Sequence, residues 1–431
     1  MAGIGAATAP THDGGASVTD VRAPTRYIRQ LQAENMVSSV SQLIEALDNV
    51  SIRHIVLATG DYPITSTLSI NRNVTIEAAV PGEVTVNGQD STQVFEITAG
   101  VVELIGLGIT KGQAQGNCNS GEQGGGVTVS GSSTRLHFQH CNIYNNTANC
   151  AGGGIDVRGS NNEVVLTMCN IFKNTALNGG GLAIRGTGTS LSMHACKLFL
   201  NEANVKKYGY GGALYLGVGF GIQLNTAITL TGCSIYDNAA AIGGGGAIDS
   251  GYATLVGTHI FRNHATNGGG YYAFGGANVA LTECTVHGND AQLGGGVYIT
   301  DDETLVTLSG AIYNNSAANS GDNAYVHGGA TLCTYQSVVV EFYGSIPVCP
   351  SPPPSPPDAP PSPPPPSLPP SPPQAPPLSP PPPAPFLPPA TPPPWGPPPS
   401  SPPPGVPPYL PPPLAPCPPG WPANEIVEVD S

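Results

Sequence analysis

Cys169-Asn170-Ile171-Phe172-Lys173-Asn174-Thr175-Ala176-Leu177-Asn178-Gly179-Gly180-Gly181-Leu182 recurs through the middle of the chain. Related copies begin at Cys141, Cys196, Cys233, Thr258 and Cys284, in steps of 28, 27, 37, 25 and 26 residues, and a degenerate copy covers Ile312 to Ala317. Every copy but the last runs into a Gly-Gly-Gly or Gly-Gly-Ala turn. A period of 20–50 residues marks a solenoid, which grows by adding coils rather than separate cores.

Each coil reads as three short strands. An apolar-x-apolar run such as Ile228-Thr229-Leu230 comes first, then Cys-x-Ile, then an Asn turn, and then glycines that open a third run such as Leu182-Ala183-Ile184. Alternate side chains of a strand share a face, so the Cys/Ile pair and the post-glycine apolar pair point inward. Stacked coils bring equivalent residues ~4.8 Å apart. The repeats therefore predict a column of Cys, one of Ile, and one of Asn at Asn146, Asn174, Asn201, Asn238, Asn263, Asn289 and Asn315. A sharp bend leaves backbone groups unpaired, and stacked Asn amides satisfy both those groups and each other. Seven copies of one residue at one bend favour a structural role over a ligand site.

Upstream, Val40, Leu43, Ile44 and Leu47 recur at helical spacing, with Ser39 and Gln42 as a capping box. A helix there covers the first coil, whose open edge would otherwise pair with other chains. The expected organisation is an irregular lead-in over 1–37, an all-β single-stranded parallel β-helix over 38–349, a proline-rich stalk over 350–416 and a short tail over 417–431. Proline fixes φ and lacks an N–H, so the stalk reads as polyproline II rising ~3.1 Å per residue, on the order of 200 Å if extended.

The repeats resemble right-handed parallel β-helices of the pectin-lyase-like kind. More closely they resemble the Gly-Gly-Ala-[Ile/Leu/Val] and Phe-x-x-Asn repeats of polymorphic outer-membrane proteins. The first element stands at Gly211-Gly212-Ala213-Leu214 and Gly245-Gly246-Ala247-Ile248; in the second, Ile, Leu or Val replaces the family's Phe. The Ser-Pro-Pro-Pro units after Cys349 resemble the extensin-like and pherophorin-like hydroxyproline-rich glycoproteins of plant and algal walls. That resemblance implies a hydroxylated, glycosylated stalk outside the cytosol.

Cysteines divide in two. Cys141, Cys169, Cys196, Cys233 and Cys284 fall in the inward column, as small buried hydrophobes with parallel Cβ vectors unsuited to a disulfide. Cys118 with Cys150, and Cys333 with Cys349, are the candidate disulfides, which imply an oxidising compartment. Asn49, Asn73, Asn145 and Asn314 head Asn-x-Ser/Thr sequons. Met1 to Gly15 lacks the basic start and apolar core of a secretory leader, and Met1 to Ala7 reads like an internal segment, so an incomplete start is expected.

The net charge of -14 argues against nucleic acid or an anionic membrane as partner, and no apolar run reaches the ~18 residues of a membrane helix. Post-glycine strands point Thr128, Asp156, Ala183, Tyr215, Asp249, Tyr272 and Tyr298 outward. Tyr215, Tyr272, Phe274 and Tyr298, with Asp156, Asp249, Arg158 and Arg185, are the candidate glycan-binding stripe; the bland alternative is ordinary β-surface, where aromatics are favoured anyway. Hydrolysis needs two carboxylates ~5–9.5 Å apart, and Asp156 and Asp249 are three coils apart. No catalytic residue, metal site or cofactor is nominated. The expected function is a structural or glycan-contacting component of an extracellular matrix or wall, whose partners are polysaccharides or glycoproteins; the competing class, which the pectin-lyase-like resemblance implies, is a polysaccharide lyase or hydrolase acting on uronate polymers.

Overall fold

The computed structural model describes residues 36–116, 118, 124–204, 208–217, 225–334 and, for the backbone alone, 342–343. The chain divides into two units, 1–354 and 355–431, and the described residues all belong to the first. The proline-rich stalk, the tail and Cys349 lie outside the described residues.

Among the described residues the chain is a parallel β-solenoid with a single helix. The clearest evidence is an 11-stranded sheet whose strand order follows the sequence without exception, one strand per coil. It holds the post-glycine strands. A second, larger sheet carries a five-residue strand (Arg135–Gln139, Glu163–Thr167, Ser190–His194) and then a three-residue strand (Asn142–Tyr144, Asn170–Phe172, Lys197–Phe199) from each repeat. A short third sheet follows the Asn bend at Thr147–Ala148, Thr175–Ala176 and Glu202–Ala203. The sheet begins at Met36–Val37, paired with Val56–Leu57, slightly ahead of the expected start of the solenoid at residue 38.

Two left-handed residues bend each repeat. One precedes the Cys, as at His140 (φ 53), Met168 (φ 53) and Ala195 (φ 51); the other precedes the Asn, as at Asn145 (φ 53), Lys173 (φ 55) and Leu200 (φ 56). This conformation costs a non-glycine residue about 1–2 kcal/mol, so the bends need support from their surroundings. At the second bend the Asn column supplies it. Asn174 Nδ2 donates to Asn201 Oδ1 at 3.0 Å and to Ile143 O at 2.9 Å, while Asn174 N donates to Asn201 Oδ1 at 3.1 Å. The same three bonds repeat from Asn146 to Asn315. Gly112 N caps one end on Asn146 Oδ1, and Asn323 Oδ1, from the same coil as Asn315, caps the other.

The glycines answer a different constraint. Gly152 has φ +61, and a Cβ on Gly153 would stand 2.4 Å from Gly180 O in the next coil. Side chains are excluded because backbones of successive coils nearly touch there.

Cysteines of the inward column are fully buried and reduced. Their thiols donate to carbonyls, as in Cys141 Sγ to Leu104 O at 3.1 Å and Cys284 Sγ to Leu255 O at 3.2 Å. Thr258, which interrupts the column, donates its hydroxyl to Leu230 O and Val256 O in the same pattern. Hydrogen bonding from Cys141, with burial, pushes the Cys169 thiol up to about 12, and the Cys169 contact does the same for Cys196.

The capping helix spans Val40–Asp48, with Ser39 Oγ accepting from Gln42 N at 3.3 Å. Gln42 Oε1 accepts from Ser38 N at 2.9 Å. Arg72 closes the other end, donating to Ala46 O and Leu47 O at 2.8 and 3.1 Å. These are carbonyls that a helix C-terminus leaves without partners.

One coil departs from the pattern. Strand register sets Gly246 beside Leu214 and Ala247 beside Tyr215. The Gly-Gly-Ala-Ile match read at Gly245–Ile248 is therefore two residues out of phase, and the structural equivalent of Gly211-Gly212-Ala213-Leu214 is Gly243-Gly244-Gly245-Gly246. A run of four glycines leaves the phase open, and a shift of two keeps every side chain on its face. Gly246 thus puts no side chain where the four preceding coils put Val127, Ile155, Leu182 and Leu214. Its neighbour in the next coil is Tyr271, and both line an apolar cavity of about 20 Å³. The Tyr271 hydroxyl is buried with no hydrogen-bond partner among the described residues.

Three measurements check this account. Asn201→Ala should destabilise by about 1–3 kcal/mol through buried groups left unpaired, read as a lower denaturation midpoint. Tyr271→Phe should instead raise the midpoint, because it removes a buried hydroxyl that has no partner. Alkylation with mass spectrometry should find Cys169, Cys196 and Cys233 unlabelled in the folded protein and fully labelled once it is denatured.

Candidate functional site

The outer face of the 11-stranded sheet holds the predicted stripe, in two columns. The central column runs Thr128, Asp156, Ala183, Tyr215, Ala247, Tyr272, Tyr298, Tyr325. Asp249 is not in it: Asp249 pairs in register with Phe274, one step further along the strand, in the column that also holds Arg158 and Arg185. This corrects the position read for Asp249 and follows from the glycine phase error.

The stripe is also less open than alternation alone implies. Asp156, Tyr215, Asp249 and Tyr298 are buried, at 0, 4, 2 and 7% exposure, while Arg158, Arg185, Tyr272 and Phe274 are half-buried. The segments that precede the glycines add their own bridges (Ala151 to Asn178, Tyr210 to Ile242, Ile242 to Asn267). Ala151 joins Ala183, Tyr215 and Ala247 in a small apolar cluster outside the main core, with Tyr210 and Tyr272 packed against it.

Charge on this face is largely matched. Arg185 binds Asp156 through two parallel bonds, Nε to Oδ1 at 2.9 Å and Nη2 to Oδ2 at 2.7 Å. Burial pushes the Asp156 carboxyl up, and Arg185 opposes that shift. Arg158 lies 3.9 Å from Glu96. Further along, Tyr272 stacks on Tyr298 at 4.7 Å and meets Phe274 edge-on at 5.1 Å. Tyr298 Oη and His327 Nε2 share a hydrogen bond of 2.6 Å. Burial raises the Tyr272 hydroxyl well above its ordinary value, with Tyr298 and Asp301 adding to it.

Two carboxylates that looked unrelated in sequence meet at Gly275. Asp301 Oδ2 accepts from Gly275 N at 3.1 Å, and Asp249 Oδ1 lies 2.5 Å from where a Cβ on Gly275 would stand. Among the described residues no group of His, Cys, Asp and Glu is arranged to hold a metal.

Cys118 and Cys150 are joined by a disulfide with a Cα separation of 5.2 Å. Cys333 is buried, and its candidate partner Cys349 lies outside the described residues. The sequon residues Asn49, Asn73, Asn145 and Asn314 are all exposed. No helix among the described residues is long and apolar enough to cross a membrane.

A second surface was not singled out from sequence. Tyr144, Phe172, Phe199, Tyr236, Phe261, His287 and Tyr313 form one outward column on the three-residue strands, with ring centroids 4.9–5.3 Å apart and planes within 3–11° of parallel. The signal was present: an aromatic ring stands two residues before every Asn of the ladder.

Residues 216–334 match the family model described as "Right handed beta helix region". No curated protein matches the chain. Among solved structures the chain is similar to the pectate lyase Pel9A, with 15% identity over 68% of this chain and 70% of that one and a TM-score of 0.34. It is similar to a mannuronic acid-specific family 6 polysaccharide lyase from human gut microbiota, at 12% identity, 70% and 83% coverage and 0.39. It is also similar to the A-module of the Azotobacter vinelandii mannuronan C-5 epimerase AlgE4, at 12%, 72% and 98%, and 0.44. At such identities the likeness concerns the fold, and no residue role is carried over.

Proposed function

We infer that the protein is a non-catalytic, glycan-contacting structural component of an extracellular matrix or wall. The observation that carries this reading is the state of the stripe. Its accessible parts are planar or hydrogen-bonding groups (Arg158, Arg185, Tyr272, Phe274), while the one carboxylate central to it, Asp156, is fully buried and held by Arg185. Such a face can contact sugars but presents no acid there to protonate a leaving oxygen. The Cys118–Cys150 disulfide and four exposed sequons support an oxidising, extracytosolic location. The Ser-Pro-Pro-Pro stalk supports a wall or matrix setting, through its resemblance to hydroxyproline-rich glycoproteins.

One observation favours a second reading, a glycoside hydrolase: Asp249 and Asp301 both approach Gly275 beside aromatic rings. Against it, Asp249 is almost fully buried, so a sugar would not reach it without movement of the surrounding loops.

Both readings are separated by incubating the protein with neutral wall glycans such as xylan, mannan and β-glucan. Retention by at least one, weakened several-fold by the double variant Tyr272→Ala/Phe274→Ala, with no release of reducing ends, is the expected result. Release of reducing ends that Asp301→Asn abolishes would establish the hydrolase instead. Absence of both retention and turnover would end the glycan reading of this face.

A further inference from the structure

The aromatic column on the larger sheet faces away from the stripe's sheet and has a different chemistry. Parallel rings about 5 Å apart along the solenoid axis cover one another's faces. What they turn to solvent is ring edge. An aromatic ring carries negative charge on its face and positive charge at its edge. A stack of edges therefore favours anionic groups and gives little to a sugar that would lie flat on a ring.

The flanking residues carry the same sign. Lys111 and Lys173 occupy the left-handed bend on one side of the column, and Lys197 stands on the other side in line with Asn142 and Asn170. Arg262 lies over the Phe261 ring at 4.9 Å. These are four of the nine Lys and Arg among the described residues, gathered on one face of a chain with a net charge of -14. The carboxylate at the same bend, Asp237, is bound by Arg262 through two bonds of 2.8 Å. Glu163, on the five-residue strand, is paired with Arg135 at 3.0 Å, and Glu202 lies beyond the Asn bend on the next sheet. Salt screens exposed charges beyond about 8 Å, so this face acts by its local charge rather than by the total. Between the Asn/Lys line and the rings runs an open groove of about 460 Å³, spanning four coils from Tyr144 to Tyr236.

We propose that this groove binds a linear acidic polysaccharide laid along the solenoid axis. Anionic groups would meet Lys197 and the ring edges in the groove and Lys173 across the ring column, and hydroxyls would meet the Asn142 and Asn170 amides. Repetition along the axis explains the choice of a polymer: each coil offers the same edge and a similar polar neighbour, which suits a chain of repeating units. The shared ligand chemistry is a saccharide bearing carboxylate or sulfate ester groups. This surface is separate from the stripe, and the proposal does not depend on the stripe binding anything.

The test uses the full chain in affinity electrophoresis and calorimetry with polygalacturonate, dextran sulfate, neutral β-glucan and polyglutamate. Either acidic polysaccharide should bind, and which of the two binds more tightly identifies the anionic group. Binding should weaken with salt and fall at least tenfold in Lys173→Glu/Lys197→Glu. Both lysines are exposed, so this variant should keep the wild-type unfolding midpoint. Lys173→Arg/Lys197→Arg should bind as wild type, and Tyr272→Ala on the other face should leave acidic-polysaccharide binding unchanged. The proposal is overturned if neither acidic polysaccharide binds, or if the charge reversal leaves binding intact. Equal binding of polyglutamate would overturn the saccharide assignment, and equal binding of β-glucan would overturn the role of charge.

Discussion

The solenoid depends on what happens at one bend. There each repeat turns through a left-handed residue and exposes backbone groups that no sheet partner reaches. A single buried amide per coil takes up the task, and each amide is itself completed by the next. The Asn Nδ2 donates twice and its Oδ1 accepts twice, so nothing in the column is left over. This explains why the bend tolerates Lys173, Leu200 and Arg262 in a conformation usually left to glycine or asparagine. The ladder, not the identity of the bent residue, determines the turn.

Since bend and glycines are fixed by backbone geometry, the outward positions are free to differ from face to face. On the stripe's sheet, segments before the glycines fold back and bury most of the outward side chains. On the larger sheet nothing comparable among the described residues covers the three-residue strands, and the rings there form a continuous stack. The same coil thus presents a half-closed, charge-matched surface on one side and an open, cationic-edged one on another. Function is a matter of what stands on each face, while the fold is common to both.

Much of this was legible in the chain. Cys, Ile and Asn recur at a fixed spacing, and a period of two assigns each to inside or outside, so the inward columns and the capping helix follow from residue order alone. Burial of outward residues does not follow. Alternation says which side Tyr215 faces, but not that Tyr210, from the segment before the glycines, packs its ring against it. Asp249 went to the wrong column because four consecutive glycines carry no side chain from which to count. Its approach to Asp301 across Gly275 joins residues from different coils, a proximity no local pattern encodes. The aromatic column was the opposite case: its period was as regular as that of the asparagines, but its stacking only shows once the strands are in register.

Gly246 and Tyr271 have a consequence for how such a chain finds its structure. A stack of near-identical coils has many near-equivalent ways to pair, each displaced by one repeat, and a chain caught in one of these would be almost as well bonded as the native one. Something must make one alignment better than its neighbours. The missing side chain at Gly246 leaves an apolar space that the Tyr271 ring of the next coil helps to line, and these two residues are adjacent only when the coils are counted correctly. In the native pairing the Tyr271 ring has a full-sized neighbour, Val297, on one side only, whereas a pairing that skipped the Gly246 coil would set Leu214 on the other side as well. A locally irregular coil therefore acts as an index mark for the regular ones.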